Sequence, residues 1–427
     1  MTPQRRSTAV LALIAAAALG VLPVGGASAQ LLRRGGQVEV PQSSIEQAEH
    51  IGVRAHTNLK LFVPAGGMDA VQPPSFSREA SPLESPPYAG YFFETPASLG
   101  CVYKLVSSLA AGCNPNTAVR DPSGGARAIA IVDAYHYPTA LSDLRVFSAQ
   151  FGLPLPTSAT FELVFAGGRQ PPVDPDWNIE EALDIEWAHA TAPAAKVYLV
   201  EAASANYSDL FTAVVVANSL VHAAGGGEVS ISWGGSEFPG ETSYDHYFSQ
   251  AGIVYFAAAG DGPGPIWPST SVNVVSVGGT SVSRNPTTGA FQRELAWQSG
   301  GGGPSAYEPR PSYQNGISAV VKARRGSPDV AADADPTTGV WVYDSPYWYI
   351  AGGTSVSTPV WAGIVNAAGG FSAATRSELA TIYANGANAA DFTGIAAGSC
   401  GPNEGYLAVG SWDFCTGLGS PLGKRGK

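Results

Sequence analysis

Ala351-Gly-Gly-Thr-Ser-Val-Ser-Thr-Pro-Val-Trp-Ala-Gly363 reads as a tight turn that delivers a serine to the start of a helix. Small residues through Gly353 permit an exposed, sharply bent backbone, and Ser355 falls where helical periodicity begins. A hydroxyl at that point meets unpaired backbone N–H groups and the positive end of the helix dipole. Those donors are in place before charge develops, which suits a nucleophile whose attack creates an oxyanion. Pro359 falls in the expected first turns, where a missing N–H costs little. A Thr-Ser pair is also an ordinary helix cap, so the rest of the chain must decide between a cap and a nucleophile.

Working outward, strand and helix patterns alternate. Ala128–Val132 is a short apolar run ending in Asp133, as in a strand buried on both faces. Further strands are expected at Phe161–Phe165, Lys196–Val200, Glu228–Trp233, Ile253–Ala259, Val272–Val277 and Val340–Tyr343. Helices are expected at Thr139–Phe151, Trp177–Ala190 and Asp209–Ala223. Short connections between alternating elements predict an α/β fold with a doubly wound, mostly parallel sheet. Ligands sit at the carboxyl ends of strands in such sheets. Asp133, Trp233 and Asp261 all lie at or just after strand ends and should converge there.

Composition narrows the class. The net charge of −11 and the lack of any Lys/Arg cluster beyond short pairs argue against a nucleic-acid partner. Charged residues are 13% while Gly (51) and Pro (33) are plentiful, so the chain is ordered but rich in turns. Arg5 and Arg6, an apolar run from Ala9 to Val24, and Ala27-Ser28-Ala29 read as a secretory signal over residues 1–29. The run is interrupted by Gly20 and Pro23 and is short for a bilayer, and no later stretch is long enough to span one. The mature protein is expected to be secreted or periplasmic, with Sec and twin-arginine export both open. Residues 30–87 are rich in Pro and Ser and read as a short propeptide, linker or arm. Regular patterning, and with it the main domain, begins at Tyr88 and runs to residue 427.

Four cysteines fall in two local pairs, Cys101/Cys113 and Cys400/Cys415. In an exported chain an even count points to two disulfides, although three connectivities are formally possible. Neither pair has the close spacing of a zinc knuckle.

A serine nucleophile needs a base, most often histidine. Histidines stand at 50, 56, 136, 189, 222 and 246, none of them in a His-Gly-Thr setting. His189, five residues past Asp184 on a helix, reads as a packing or capping residue. Carboxylates are stronger candidates: Glu180 and Asp184 are four apart and share a helix face, while Glu181 and Glu186 point elsewhere. A solvated acidic face is the competing reading of that cluster.

Several segments together resemble the sedolisins, serine-carboxyl peptidases that are secreted, acid-acting and subtilisin-like in fold. Glu180-Glu-Ala-Leu-Asp-Ile-Glu186 is similar to their paired Glu-x-x-x-Asp helix, and Ser230-Ile-Ser-Trp-Gly-Gly235 to their Ser-x-Ser-Trp-Gly strand. Ala257-Ala-Ala-Gly-Asp261 resembles their oxyanion-aspartate segment, and Gly352-Gly-Thr-Ser355 their nucleophile segment. Thr95–Leu99 resembles the start of their catalytic domain, and Asp391-Phe392, Trp412-Asp413 and Thr416–Pro421 their calcium-binding tail. The likeness spans about residues 88–423 with the motifs in family order.

The resemblance implies an endopeptidase acting through an acyl-enzyme on Ser355, with Glu180 as base and Asp184 orienting it. Asp261 would be the protonated oxyanion donor beside the Ser355 N–H, and Asp133 would brace the couple. One calcium ion is implied, held by the carboxylates of Asp391 and Asp413 and the carbonyls of Phe392, Val409 and Ser411. Trp233 and Ile266 are the implied substrate-binding residues, and the partners are protein or peptide substrates of a monomer. Two departures stand out. Only about 58 residues separate the signal from Tyr88, where relatives carry a long prodomain. Gly262–Pro268 holds no charge, which favours an apolar P1 side chain over Lys or Arg. An inert secreted binding protein on the same fold would lack one of Glu180, Asp184, Asp261 or Ser355, and all are present. A His-dependent subtilisin-like hydrolase would need a histidine beside Ser355.

Overall fold

The computed structural model describes residues 36–64, 86–87, 91–107, 109–386 and 388–427. The signal reading over residues 1–29 lies outside the described residues. The central sheet runs, edge to edge, Phe291–Ala296, Val275–Arg284, Ile253–Ala258, Gly227–Ile231, Ala128–Ala134, Lys196–Ala202 and Phe161–Phe165. Val330–Asp333 lies parallel to part of Val275–Arg284. Neighbours are parallel except at the Phe291–Ala296 edge, which is an antiparallel hairpin. All seven residues of Ala128–Ala134 are buried, so continuous apolar runs became interior strands.

From Ala128–Ala134 the chain moves outward to Phe161–Phe165, returns to Lys196–Ala202, and then crosses to Gly227–Ile231 on the other side. That reversal opens a crevice at the strands' carboxyl ends. Helices Ala140–Phe151, Pro175–Thr191 and Thr354–Ala368 share one hydrophobic core on one face of the sheet, and Tyr207–Ala223 packs into a second core on the other. Gly363 approaches Thr191 so closely that a Cβ would collide with its hydroxyl, so the nucleophile helix is pressed against Pro175–Thr191. Both local cysteine pairs are disulfides, Cys101–Cys113 and Cys400–Cys415. Among the described residues no helix is long and apolar enough to cross a membrane.

Three expectations change. The strand expected at Val272–Val277 starts at Val275 and runs to Arg284. The run expected at Glu228–Trp233 divides, Gly227–Ile231 staying in the sheet while Trp233–Ser236 leaves it to pair with Ile266–Trp267 and His56–Thr57. Val340–Asp344 is a strand, but a tight turn pairs it with Tyr347–Gly352, away from the central sheet. Apolar patterning identifies a buried strand without naming its neighbour.

Residues 36–64, expected as part of an arm or propeptide, are built into the fold. Lys60–Pro64 pairs with Tyr347–Gly352 on one side and Gly36–Glu39 on the other. Phe62, 2% exposed, sets its ring 5.5 Å from Phe93, which in turn meets Trp341 edge-on at 5.7 Å. Truncating a buried phenylalanine of this kind costs about 3–5 kcal/mol.

Candidate active site

Ser355 is the second residue of helix Thr354–Ala368 and is fully buried. Gly353 before it has φ +105°, and a Cβ there would strike the Asn58 carbonyl oxygen, so the turn requires glycine. Ser355 Oγ donates to the Ser232 carbonyl at 3.2 Å, and the Ser355 N–H donates to the Asn58 carbonyl at 3.2 Å. Pro359 lies deeper in the helix than expected, where its N–H would have bonded the Ser355 carbonyl. That carbonyl instead accepts from the Ser232 hydroxyl at 3.4 Å.

Helix Pro175–Thr191 starts from Asp174, whose side chain accepts from the Asp176 N–H, with Pro175 at the first turn. Glu180, Glu181, Asp184 and Glu186 are all buried, which overturns the solvated-face alternative. Burial drives Glu180 well above the usual carboxylate range; Asp133 adds to this, the Ser355 hydroxyl partly reverses it, and Asp261 raises it again. Asp184 is raised by burial, then by Asp133 and Glu180, while a 2.9 Å bond from the Ser232 hydroxyl opposes the shift. Asp133, at the end of its strand, is pushed up to about 8 by burial and by Glu201. Both oxygens of Glu180 and of Asp133 are buried without a hydrogen-bond partner among the described residues. Carboxylates so placed hold protons, because neighbouring negative charges in a dry site cannot all ionise.

Glu181 is buried beside this helix face as well. It is raised by burial and then by Glu201, Asp133 and Asp184. Glu186 does point elsewhere, accepting from the Tyr343 N–H at 3.1 Å. Glu201 takes His136 Nδ1 at 2.9 Å and the Tyr137 N–H at 3.0 Å. His189 meets the Pro154 carbonyl at 2.8 Å, consistent with packing. Among the described residues no histidine hydrogen-bonds to Ser355.

Asp261 closes the cleft after strand Ile253–Ala258. Burial pushes its pKa up to about 6, against the Lys60 ammonium and two bonds from Thr354. Oδ2 is buried and unpartnered among the described residues, and it crowds the same face of Gly353 as the Asn58 carbonyl. The structure therefore gathers Ser355, Glu180, Asp184, Asp133 and Asp261 at one place.

Trp233 lies beside this place, but its indole turns into the core and donates to the Val132 carbonyl at 2.8 Å. Any contact with a peptide runs through its backbone, which pairs with Thr57. Ile266 is partly exposed and packs over the bare faces of Gly234 and Gly260. Ser232, Thr354 and Lys60 were not singled out from the sequence. Ser232 was legible inside its Ser-Trp-Gly strand, whereas Lys60 carried no local signal.

At the C-terminal segment, Asp413 Oδ1 accepts from the N–H groups of Cys415 and Thr416 and from the Thr416 hydroxyl. Oδ2 accepts from the Val409 N–H at 3.1 Å, and Asp391 Oδ2 accepts from Asn388 Nδ2 at 2.6 Å. Among the described residues there is no cluster of three or more His, Cys, Asp or Glu that could hold a metal. Asp391 and Asp413 are both buried, and with the carbonyls of Phe392, Val409 and Ser411 that the resemblance implies they would offer only oxygen donors, the kind a hard cation takes.

The chain is 32% identical over 294 residues to kumamolisin of Bacillus sp. (strain MN-32), covering 60% of this chain and 50% of that protein. It is 32% identical over 176 residues to sedolisin of Pseudomonas sp. (strain 101), covering 36% of this chain and 28% of that protein. The chain thus spans half or less of the length of these relatives. No family model matches it. Among solved structures, Pseudomonas sedolisin, a serine-carboxyl proteinase complexed with two molecules of pseudo-iodotyrostatin, superposes with TM-score 0.63 at 23% identity. That superposition covers 77% of this chain and 95% of the other.

Proposed function

We propose that the chain is a sedolisin-family peptidase on a subtilisin-like fold, an exported endopeptidase working in acid through Ser355. The observation that carries the proposal is the burial of Glu180, Asp184 and Asp133 around the Ser355 hydroxyl, with no histidine hydrogen-bonded to Ser355 among the described residues.

In this mechanism the Ser355 hydroxyl swings from the Ser232 carbonyl to Glu180, gives up its proton and attacks the peptide carbonyl. Asp184, held by Ser232, orients Glu180 and shares a proton with it, and Asp133 is a third buried carboxyl beside them whose ionisation would compete with theirs. Protonated Asp261 Oδ2 and the Ser355 N–H donate to the oxyanion. Glu180 then returns the proton to the leaving amine. A histidine would be protonated, and useless as a base, at pH values where this couple works. Ile266 offers apolar surface without a cation partner, which favours a neutral P1 side chain.

Calcium would be held by Asp391, Phe392, Val409, Ser411 and Asp413, and would supply positive charge that fixes the C-terminal loop. Residues 30–87 would form the segment that precedes the peptidase domain of residues 88–427, with its residues 36–64 packed onto that domain. The test is a pH series of casein digestion by the wild type beside Ser355→Ala. Digestion confined to acid pH and abolished in Ser355→Ala is expected; equal digestion by both removes Ser355 as nucleophile.

A further inference from the structure

Asp133 has a carboxyl neighbour that takes no part in the mechanism above. Strand Lys196–Ala202 lies parallel to Ala128–Ala134, and Glu201 stands directly opposite Asp133. Ile129, Ile131, Val197 and Leu199 all face the core shared with helix Pro175–Thr191. Side chains alternate along a strand, so Asp133 and Glu201 point to that same face from strands about 4.8 Å apart. Both are fully buried. Two carboxyls so close in a dry site do not both ionise easily.

Hydrogen-bond partners decide which of them takes the charge. Neither oxygen of Asp133 has a partner among the described residues. Glu201 is equipped for charge: its two oxygens meet His136 Nδ1 at 3.1 and 2.9 Å, and Oε1 accepts from the Tyr137 N–H at 3.0 Å. His136 is itself held, its N–H donating to the Pro172 carbonyl at 3.0 Å and its ring meeting Phe165 edge-on at 5.3 Å. Phe165 lies opposite Glu201 on the third strand and brings no charge. The His136 side chain is 9% exposed, so it borders solvent while Glu201 does not. In acid an imidazole carries positive charge, and a carboxylate so bonded keeps its ionised form. Burial raises Glu201, while the Tyr137 N–H and His136 oppose the shift. The titratable groups of helix Pro175–Thr191 that act on these two strands are Glu180, Glu181 and Asp184, and Asp344 acts in turn on Glu181.

Resting on the serine-carboxyl reading above, we propose that His136 and Glu201 are positioning residues that decide where the buried site keeps its negative charge. His136 holds Glu201 ionised, and charged Glu201 keeps the proton on Asp133. With Asp133 neutral, the Glu180–Asp184 couple is spared its charge, and Glu180 can ionise to take the Ser355 proton. Without the charge on Glu201, Asp133 ionises instead. Its charge then adds to the burial that raises Glu180 and Asp184, and Ser355 is left facing a protonated couple with no base.

The test is infrared spectroscopy of the full chain carrying isotope-labelled aspartate, across pH, beside a kcat–pH profile on a peptide. The protonated-acid band missing from Asp133→Asn reports Asp133 and needs no turnover. In Glu201→Gln that band should be lost about 1–3 pH units lower than in the wild type, the usual effect of one neighbouring charge. The acid limb of kcat should move to higher pH, because the couple must then ionise after Asp133. His136→Gln should act in the same directions, since Glu201 without its partner takes up a proton in acid. A histidine acting on Asp133 directly would do the reverse, its lost positive charge letting Asp133 keep the proton to higher pH. On an Asp133→Asn background, Glu201→Gln should leave the acid limb in place. An Asp133 band that stays put or moves to higher pH in Glu201→Gln overturns the proposal. So does a wild type whose Asp133 band is already lost at the acid pH where casein is cut. A band that shifts as expected in a wild type and variants that never digest casein instead brings down the peptidase reading.

Discussion

Thr354 holds Asp261 by two hydrogen bonds to the same oxygen, from its N–H at 2.7 Å and its hydroxyl at 2.9 Å, leaving Oδ2 bare toward the Asn58 carbonyl. Both bonds favour the charged carboxylate, as does Lys60, whose ammonium lies 2.7 Å from the Asp261 carbonyl. Asp261 must be protonated to donate to an oxyanion, so kcat should fall as pH rises through its pKa of about 6. Thr354→Val and Lys60→Gln each remove a group that lowers this pKa, so the alkaline limb should move to higher pH in both. Asp261→Ala should cost about 10²–10³ in kcat, as for loss of one oxyanion donor. A limb that moves to lower pH in Lys60→Gln would contradict the role given to Asp261.

Glu180→Gln and Asp184→Asn should each lower kcat by about 10²–10⁴, the range for removal of a positioned base. Ser232→Ala takes the hydroxyl from Asp184 Oδ1 and should reduce kcat less than either, with KM little changed. Steady-state kinetics on a peptide at acid pH read all three. Near wild-type turnover in Glu180→Gln would remove it as the base.

Stability should run opposite to ordinary acid denaturation. Burial raises Asp133 and Glu228 to about 8 each and Asp261 to about 6. The folded protein keeps these protons where the unfolded chain has lost them, so unfolding releases protons. Stability is then fullest below the ordinary carboxylate range, near pH ~4, and falls as pH rises through the raised values. A tenfold change in proton affinity is worth about 1.4 kcal/mol, and a few such groups weigh heavily against a total of roughly 5–15 kcal/mol. Calorimetry should show Tm dropping from acid toward neutral pH and beyond. A Tm that rises over that span would refute the protonated cluster.

A calcium ion held at Asp391 and Asp413, as proposed, would stabilise only the folded state, by mass action. A chelator should lower Tm in the wild type and change Asp413→Ala little, with the variant starting lower because its loop loses four hydrogen-bond donors' acceptor. Equal chelator shifts in both proteins would take the ion away from Asp413.

Local pattern determined much of this protein. Ala128–Ala134, Phe161–Phe165 and the helices around Glu180 and Ser355 were legible because burial on both faces, four-residue spacing and a Gly-Gly-Thr-Ser turn are properties of neighbouring residues. The motif order also carried the resemblance to the sedolisins. Pairing partners were not legible: Val340–Asp344 has the same apolar pattern as the central strands, yet it closes a hairpin. Nor was the fate of Glu181, since helical spacing sets a direction while the packing of Asp133 and Glu201 decides what lies there. Above all, only the tertiary structure brought Asn58 to Ser355, 297 positions along the chain. His56-Thr57-Asn58 carries no motif, because a peptide laid in a cleft is held through backbone N–H and C=O groups that every residue shares. What such a segment does depends on the edge it meets, and that edge is made by folding.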